Sequence, residues 1–403
     1  MQRSDVKQRV TSIVPFEKID SLLQEKLERG TGRRNIVRNV EDYNNKVILG
    51  DGKRFRMALP YLMAKGMDVE IEDEKVLEAF TPIELVHGLS LILDDVMDRD
   101  EMRRGMQTPH KRFKDKGFTE KQAESLVTLD VVQLQSIAEL SAHELDFLNA
   151  EKQIKVTEIL GDAITKLSRG QMLDVAGENV SEGEKYREKL SYDGDFDYRK
   201  FYDDVIEGKT TPLFEAGPKI LEVITDDELK NLIKYSKNLG RAFQIRDDVL
   251  DISGSEDQIT VSREPEKDGI GKDRYSDLSE GTMTLPINYA FESMKENSWN
   301  QMEQYVKRLA ELDNSLKSLQ SFKNNYDGRK EFLNMVMSKE RPESYELQIA
   351  GKIIEDTGAL EEANKEALSY AGKAIENLKQ SDVGGQYKDL LEDMAYFAAT
   401  RSK

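Results

Sequence analysis

The sequence predicts an all-α protein, and three observations carry that expectation. Helix breakers are sparse, with 9 Pro and 26 Gly in 403 residues. Apolar residues recur at three- and four-residue steps through long segments, as on the buried face of a helix. No run alternates apolar and polar residues between hairpin turns. Segment 74–99 shows the helical spacing most fully, with Val76, Leu77, Phe80, Ile83, Leu85, Val86, Leu89 and Ile92. Segments 121–147, 151–174, 226–253 and 345–379 carry the same pattern. The chemically distinctive residues run from 51 to 286 without a linker between them. A single domain spanning 1–403 is therefore expected, with helices packed around a central cavity. Two stretches read as surface insertions. Residues 176–200 are acidic and contain glycine; residues 293–344 are polar, with the sole tryptophan, Trp299, and the breaker-rich run Asn324-Asn325-Tyr326-Asp327-Gly328.

Composition narrows the function. The net charge of -18 argues against a general nucleic-acid binder, which needs a basic face, and against docking on anionic lipid. Cysteine is absent and histidine is limited to His87, His110 and His143, which excludes thiolate-ligated metals and makes a histidine-rich zinc centre improbable. No apolar run approaches the ~20 residues of a membrane helix, and Met1 to Asp5 lack the apolar stretch of a signal peptide. These features fit a cytoplasmic enzyme.

One acidic pattern occurs twice: Asp94-Asp95-Val96-Met97-Asp98 and Asp247-Asp248-Val249-Leu250-Asp251. Each follows an apolar, helix-like run. Residues four apart share a helix face, so Asp94 points with Asp98 and Asp247 with Asp251. Carboxylates crowded on one face repel each other unless a cation sits there. The natural partner is Mg2+, which carboxylates bind together with substrate phosphates. Cationic residues accompany both copies: Gly52-Lys53-Arg54-Phe55-Arg56, Arg103-Arg104-Gly105, Lys209-Thr210-Thr211 and Gly271-Lys272. Asp193, Asp195 and Asp197 imitate the start of a calcium loop, but Tyr198 stands where that loop needs glycine, so a solvated acidic segment is expected. His110 is expected to cap or pack and His143 to lie at the surface.

In order and spacing this set resembles the trans-isoprenyl diphosphate synthases, which make geranyl, farnesyl and geranylgeranyl diphosphates. The likeness extends to Glu84, His87 and Ser90 before Asp94, to Gly170-Gln171 with Asp174, to Gly240, Phe243 and Gln244 before Asp247, and to Thr284-Leu285-Pro286. It implies the all-α isoprenoid synthase fold, a homodimer, and two aspartate motifs facing each other across a deep pocket. It implies about three Mg2+ ions per active site, in keeping with carboxylate and phosphate ligation. By position, Asp94 and Asp98 become the main metal ligands, Asp247 helps hold a further ion, and Asp95, Asp248 and Asp251 become ligands or supporting acceptors. Arg103, Lys209 and Lys272 would contact the allylic diphosphate beside Thr210 and Gln244. Lys53, Arg56, His87 and Arg104 would hold isopentenyl diphosphate. Leu89 and Ser90, just before the first motif, would line the wall that limits product length.

The implied reaction joins isopentenyl diphosphate to an allylic diphosphate and yields a medium-chain all-trans product, geranylgeranyl rather than farnesyl diphosphate. Metals and cationic side chains stabilise the departing diphosphate. One position departs from the family pattern: Thr282 stands where a lysine is usual before the Thr-Leu-Pro segment. A replacement cation is sought at Lys272 or Arg274. Two other readings compete: a terpene cyclase, against which the intact second motif argues, and a non-catalytic regulatory subunit, against which retention of all the motif aspartates argues.

Overall fold

The computed structural model describes residues 3–28, 35–50, 54–103, 105–177, 197–253, 274–294, 329–339 and 342–401. Its helices, in chain order, are α1 (Arg3–Ile13), α2 (Phe16–Glu28), α3 (Asn35–Leu49), α4 (Phe55–Gly66), α5 (Asp73–Met97), α6 (Pro109–Asp115), α7 (Glu120–His143) and α8 (Ala150–Gly177). They continue with α9 (Tyr198–Lys209), α10 (Thr211–Thr225), α11 (Lys230–Ser253), α12 (Ser276–Glu280), α13 (Leu285–Ser293), α14 (Arg329–Met337), α15 (Ser344–Asp356), α16 (Ala359–Lys379) and α17 (Gly385–Thr400). The fold is all-α, as its periodicity predicts. Among the described residues, β structure is limited to a two-stranded antiparallel hairpin, β1 (Met102–Arg103) with β2 (Met106–Gln107).

Local signals place the helix starts. Thr119 and Gln122 form a reciprocal capping box before α7: the Gln122 amide donates to Thr119 Oγ1 at 3.3 Å, and the Thr119 amide donates to Gln122 Oε1 at 3.0 Å. Such a cap stabilises a helix by about 1 kcal/mol. Proline opens α6, α10 and α13, where its missing N–H would have no helical partner.

The chain forms two compact units. The first comprises 1–168, 209–241 and 370–401; the second comprises 169–208, 242–369 and 402–403. In the first unit α5 is central, packed against α2, α3, α4, α7 and α10. That position explains why its sequence is apolar on every side. It is long and apolar enough to cross a membrane by length and composition alone, contrary to the sequence expectation, but most of its apolar window is buried against other helices. It is a core helix. Gly88 fixes how closely α3 approaches it: a Cβ there would lie 2.5 Å from Ile48 Cγ1.

The second unit has its own core, built from Ile252, Tyr275, Leu278, Ile287, Phe332, Val336, Ile349 and Ile353 among others. Here the structure corrects one expectation. Segment 293–344 is not wholly a surface insertion, because α14 buries Phe332, Leu333, Val336 and Met337 in this core. A short apolar run was masked by the polar composition around it. The remainder of that segment, other than 293–294, 338–339 and 342–344, lies outside the described residues, as do residues 178–196 of the other expected insertion.

A buried polar pair joins α3 to α7. Asn44 is fully buried, and its Nδ2 donates to Asp130 Oδ2 at 2.8 Å. Burial pushes the Asp130 carboxyl up to about 6; the Asn44 hydrogen bond opposes this and the charge of Glu41 adds to it. Asn44 Oδ1 is buried with no donor among the described residues. A native carboxyl titrating above its unfolded value of ~3.8 burdens the folded state only once it ionises, so the loss of stability develops between about pH 4 and pH 6 and is complete above. Asp130→Asn removes that charge and supplies an amide donor for Asn44 Oδ1. We expect the variant to be more stable than wild type by about 1–3 kcal/mol at pH 7.5 and indistinguishable near pH 4. Urea unfolding at the two pH values measures this.

Candidate active site

The end of α5 concentrates negative charge. Asp94 and Asp98 are half-buried, Asp95 is fully buried, and the last turn has no basic residue. The C-terminus of a helix already carries partial negative charge, so three carboxylates there are electrostatically costly. The chain reverses at once: Arg99 takes a left-handed conformation, with φ 56°. The hairpin that follows returns Arg103 to the helix, where its Nε donates to Asp95 Oδ1 at 2.5 Å. Thr108 Oγ1 fastens the base of the hairpin by donating to the Asp100 carbonyl at 2.6 Å. Burial pushes the Asp95 carboxyl up to about 7, against the opposing pull of Arg103. Its Oδ2 is buried without a hydrogen-bond partner among the described residues.

The start of α4 supplies cations. Arg56 Nη1 lies 2.9 Å from His87 Nε2. Arginine has no acceptor, so His87 offers its Nε2 lone pair and carries its proton on Nδ1. The Arg56 guanidinium also lies over the Phe214 ring, 5.1 Å from its centre. Arg54 is a determinant that the sequence reading passed over. It is left-handed, with φ 46°, and nearly buried. Its guanidinium donates to the Ile48 carbonyl at 2.7 Å, the Gly50 carbonyl at 3.2 Å, Asp20 at 2.8 Å and Glu84 at 3.5 Å. It thereby locks the end of α3 to α5 and orients the first turn that presents Arg56.

In the second unit, α11 also ends in carboxylates with no basic residue in its last turn. Asp247 is half-buried. Asp248 is buried and accepts from the Tyr202 hydroxyl and from Gln244 Nε2, the latter at 3.0 Å. Burial pushes the Asp248 carboxyl up; the two hydrogen bonds pull it back. Asp251 accepts from the Ser276 amide at 3.1 Å, the Ser276 hydroxyl at 2.6 Å and the Asp277 amide at 3.2 Å. Arg274 donates to the Ile252 carbonyl at 2.9 Å and to Glu355 at 3.4 Å, so it braces the helix end rather than reaching outward. Lys209 closes α9 and is half-buried; Thr210 is buried at the start of α10.

The donor set suits a hard divalent cation. It consists of carboxylate oxygens placed where a helix dipole leaves negative charge unanswered. Among the described residues no three acidic or histidine side chains already converge on one point. Mg2+ sites that also use phosphate oxygens and water do not require such convergence.

A family model described as Polyprenyl synthetase matches residues 37–322. The chain belongs to the polyprenyl synthetase family. It is 31% identical over 262 residues to a geranylgeranyl diphosphate synthase of Methanosarcina mazei, covering 64% of this chain and 69% of the relative. It is 27% identical over 380 residues to a geranylgeranyl diphosphate synthase of Saccharolobus solfataricus, covering 92% of each. An octaprenyl diphosphate synthase of Escherichia coli is 29% identical over 257 residues, covering 63% of this chain and 67% of the relative. The fold matches geranylgeranyl pyrophosphate synthase from Corynebacterium glutamicum, solved with isoprenyl diphosphate and magnesium, with a TM-score of 0.71 at 19% identity over 99% of both chains.

The chain is thus a trans-prenyltransferase of this family, and its residues sort as follows. The structure brings Arg103 to Asp95 and Arg56 to His87. It sets Gln244 on Asp248 and places Leu89 in the core, with Ser90 bonded to the His87 carbonyl at 2.9 Å. Lys53, Arg104 and Lys272 lie outside the described residues. Of the two cations sought in place of a lysine at Thr282, Arg274 is therefore committed elsewhere. Tyr202 and Ser276 carried no motif signal, since each acts only by reaching an aspartate distant in sequence.

Tyr202 favours the ionised form of a buried carboxylate. Tyr202→Phe leaves Asp248 with one donor fewer, costing about 1–3 kcal/mol. Its carboxyl should then ionise at higher pH. The acid limb of the rate profile is expected to move upward while the plateau is less affected; an unmoved limb would show that Tyr202 does not govern this charge.

Proposed function

We propose that the protein is a Mg2+-dependent prenyl diphosphate synthase that condenses isopentenyl diphosphate with allylic diphosphates, and that its product is of medium length, geranylgeranyl diphosphate. The observation that carries this reading is the pair of carboxylate clusters at helix C-termini with no basic residue in either last turn. Asp94 and Asp98 are the metal ligands of the first motif and Asp247 that of the second. The hydrogen bonds of Asp95, Asp248 and Asp251 favour support over ligation: Asp95 anchors Arg103, Asp248 is held by Tyr202 and Gln244, and Asp251 clasps the start of α12. When bound, Mg2+ supplies charge neutralisation for the departing diphosphate.

The chain's own groups do the rest. Arg103, anchored on Asp95, offers a planar fork to the allylic diphosphate, with Lys209 and Lys272 as point charges and Thr210 and Gln244 as polar neighbours. Arg56 and His87, with Lys53 and Arg104, hold the diphosphate of isopentenyl diphosphate without metal. Phe214 and His87 brace Arg56, which supports a charge fixed before substrate arrives; holding the diphosphate there would help to orient isopentenyl diphosphate for attack. A homodimer is supported by exposed apolar residues on one face of α7, Leu129, Val132 and Leu140, which are 68%, 59% and 59% exposed. A row of that kind on a helix is expected to be covered.

Incubation with Mg2+, isopentenyl diphosphate and each allylic diphosphate, followed by mass analysis of products, tests the reaction. Asp94→Ala and Asp247→Ala should each lower turnover at least ~10²-fold, as removal of a several-kcal/mol electrostatic contribution requires. Full turnover in both variants sinks the assignment. Product length is tested separately. Leu89 is buried and Ser90 half-buried about one turn before Asp94. Leu89→Ala should lengthen the products and Ser90→Phe shorten them, because tail and side chain compete for one volume. Chromatography of the dephosphorylated alcohols reads the outcome, and an unchanged distribution in both places the limit elsewhere.

A further inference from the structure

The second unit holds a polar cluster outside the aspartate motifs. It joins α9, α13 and α16. The Arg199 guanidinium forks onto the Glu366 carboxylate: Nη1 donates to Oε2 at 2.9 Å, and Nη2 donates to Oε1. The Tyr289 hydroxyl donates to Glu366 and accepts from Arg199 Nη1 at 3.2 Å. Burial, and then the bond to Glu366, push the Tyr289 hydroxyl up to about 12, so it keeps its proton at neutral pH and remains a donor. Arg199 Nε also donates to Asp203 on its own helix at 3.3 Å. The Arg199 and Glu366 side chains are 34% and 16% exposed, so this is a half-buried fork rather than a loose surface pair.

The cluster stands one helical turn from Tyr202. Arg199 and Tyr202 are three residues apart on α9 and share a face of that helix. Tyr202 is buried, and its hydroxyl donates to Asp248. Burial pushes that hydroxyl well up; Asp248 and then the charge of Glu366 add to this, and the charge of Arg199 opposes it. Glu366 is therefore near enough to be felt at Tyr202. α16 also reaches α11 directly. Two residues before Glu366, Asn364 accepts from Arg246 Nη1 at 2.6 Å, and Arg246 immediately precedes Asp247. α16 thus meets the second motif by two routes. One runs through Arg246 to the residue before Asp247; the other runs through Arg199 and Tyr202 to Asp248.

We propose that Glu366 is a positioning residue for the second aspartate motif: it anchors Arg199, which fixes the rotation of α9 and so sets the Tyr202 hydroxyl on Asp248. A hydrogen bond tolerates little misplacement, and a phenol hydroxyl stands far from its helix axis. A modest rotation of α9 therefore separates it from Asp248. With the fork in place, Tyr202 is oriented before any ligand binds, and Asp248 keeps both Tyr202 and Gln244 as donors. The end of α11 then presents Asp247 in a fixed direction. The inference rests on the proposed synthase reading only in taking the second motif as a Mg2+ site.

Amide hydrogen exchange of the metal-free full-length protein tests the positioning, and Mg2+-dependent turnover tests its consequence. Glu366→Gln keeps the shape of the side chain and removes its charge. Exchange over residues 247–253 should quicken about 5- to 10-fold, as when a charge-assisted bond is weakened, while α4 and α5 of the first unit are unchanged. Arg199→Lys keeps the charge but loses the fork, and should give a smaller rise at the same amides. Tyr202→Phe should quicken the same amides, and adding Glu366→Gln to it should bring no further change, because Glu366 acts through Tyr202. In turnover, Glu366→Gln should raise the apparent Mg2+ requirement roughly 3- to 10-fold and leave kcat at saturating Mg2+ within about two-fold. Unchanged exchange at 247–253 in both Glu366→Gln and Arg199→Lys overturns the proposal. So do additive effects of Glu366→Gln and Tyr202→Phe, a rise spread evenly over both units, or an unaltered Mg2+ requirement. A wild type without turnover counts against the synthase reading alone, since the exchange measurements need no substrate and still decide the positioning.

Discussion

The arrangement rests on carboxylates held at the wrong end of a helix. α5 and α11 each finish in a D-D-x-x-D segment, where the backbone dipole disfavours negative charge and no basic residue occupies the last turn. Neither helix end is good for stability by itself. Each is tolerated in part because the surrounding chain supplies hydrogen bonds to its buried aspartate. Asp95 is tied to Arg103 and Asp248 to Tyr202, whereas Asp94, Asp98 and Asp247 remain half-buried. Within each motif the middle carboxylate is thus tied down by a side chain from elsewhere in the fold, and in the second motif Asp251 is tied as well, to the start of α12.

The cations show the same economy of position. Arginine appears in two capacities within three residues. Arg54 is turned inward and consumed by carbonyls and carboxylates; Arg56 is braced by a ring and an imidazole. Arg54 precedes the helix in a left-handed conformation, with φ 46°, whereas Arg56 lies in its first turn. A guanidinium whose neighbours are set before substrate binds loses less entropy on binding.

Much of this was legible in the sequence. Helical periodicity gave α5 and α11, and the spacing of the aspartates gave their shared faces, because both depend only on local geometry. The pairing of Arg103 with Asp95 was not foreseen, since it requires the chain reversal at Arg99, which no turn residue announces. Tyr202 and Ser276 were invisible for a related reason: their partners lie 46 and 25 residues away. α14 was misread as surface because five apolar residues sat inside a polar stretch. Composition averaged over fifty residues conceals a helix of nine. Arg54 was read as one member of a basic motif, although charge type alone does not reveal whether a side chain is turned inward.

The hairpin after α5 acts as a ruler. Its strands pair Met102 with Gln107 and Arg103 with Met106, so side chains alternate between its two sides. Inserting or deleting one residue between Asp98 and Arg103 would exchange those sides and turn the guanidinium away from Asp95. That would leave a buried carboxylate without its cation, a defect of about 3–5 kcal/mol. The number of residues in this connection is therefore constrained more tightly than their identities: Asp100, Glu101 and Met102 can vary in chemistry, but not in count.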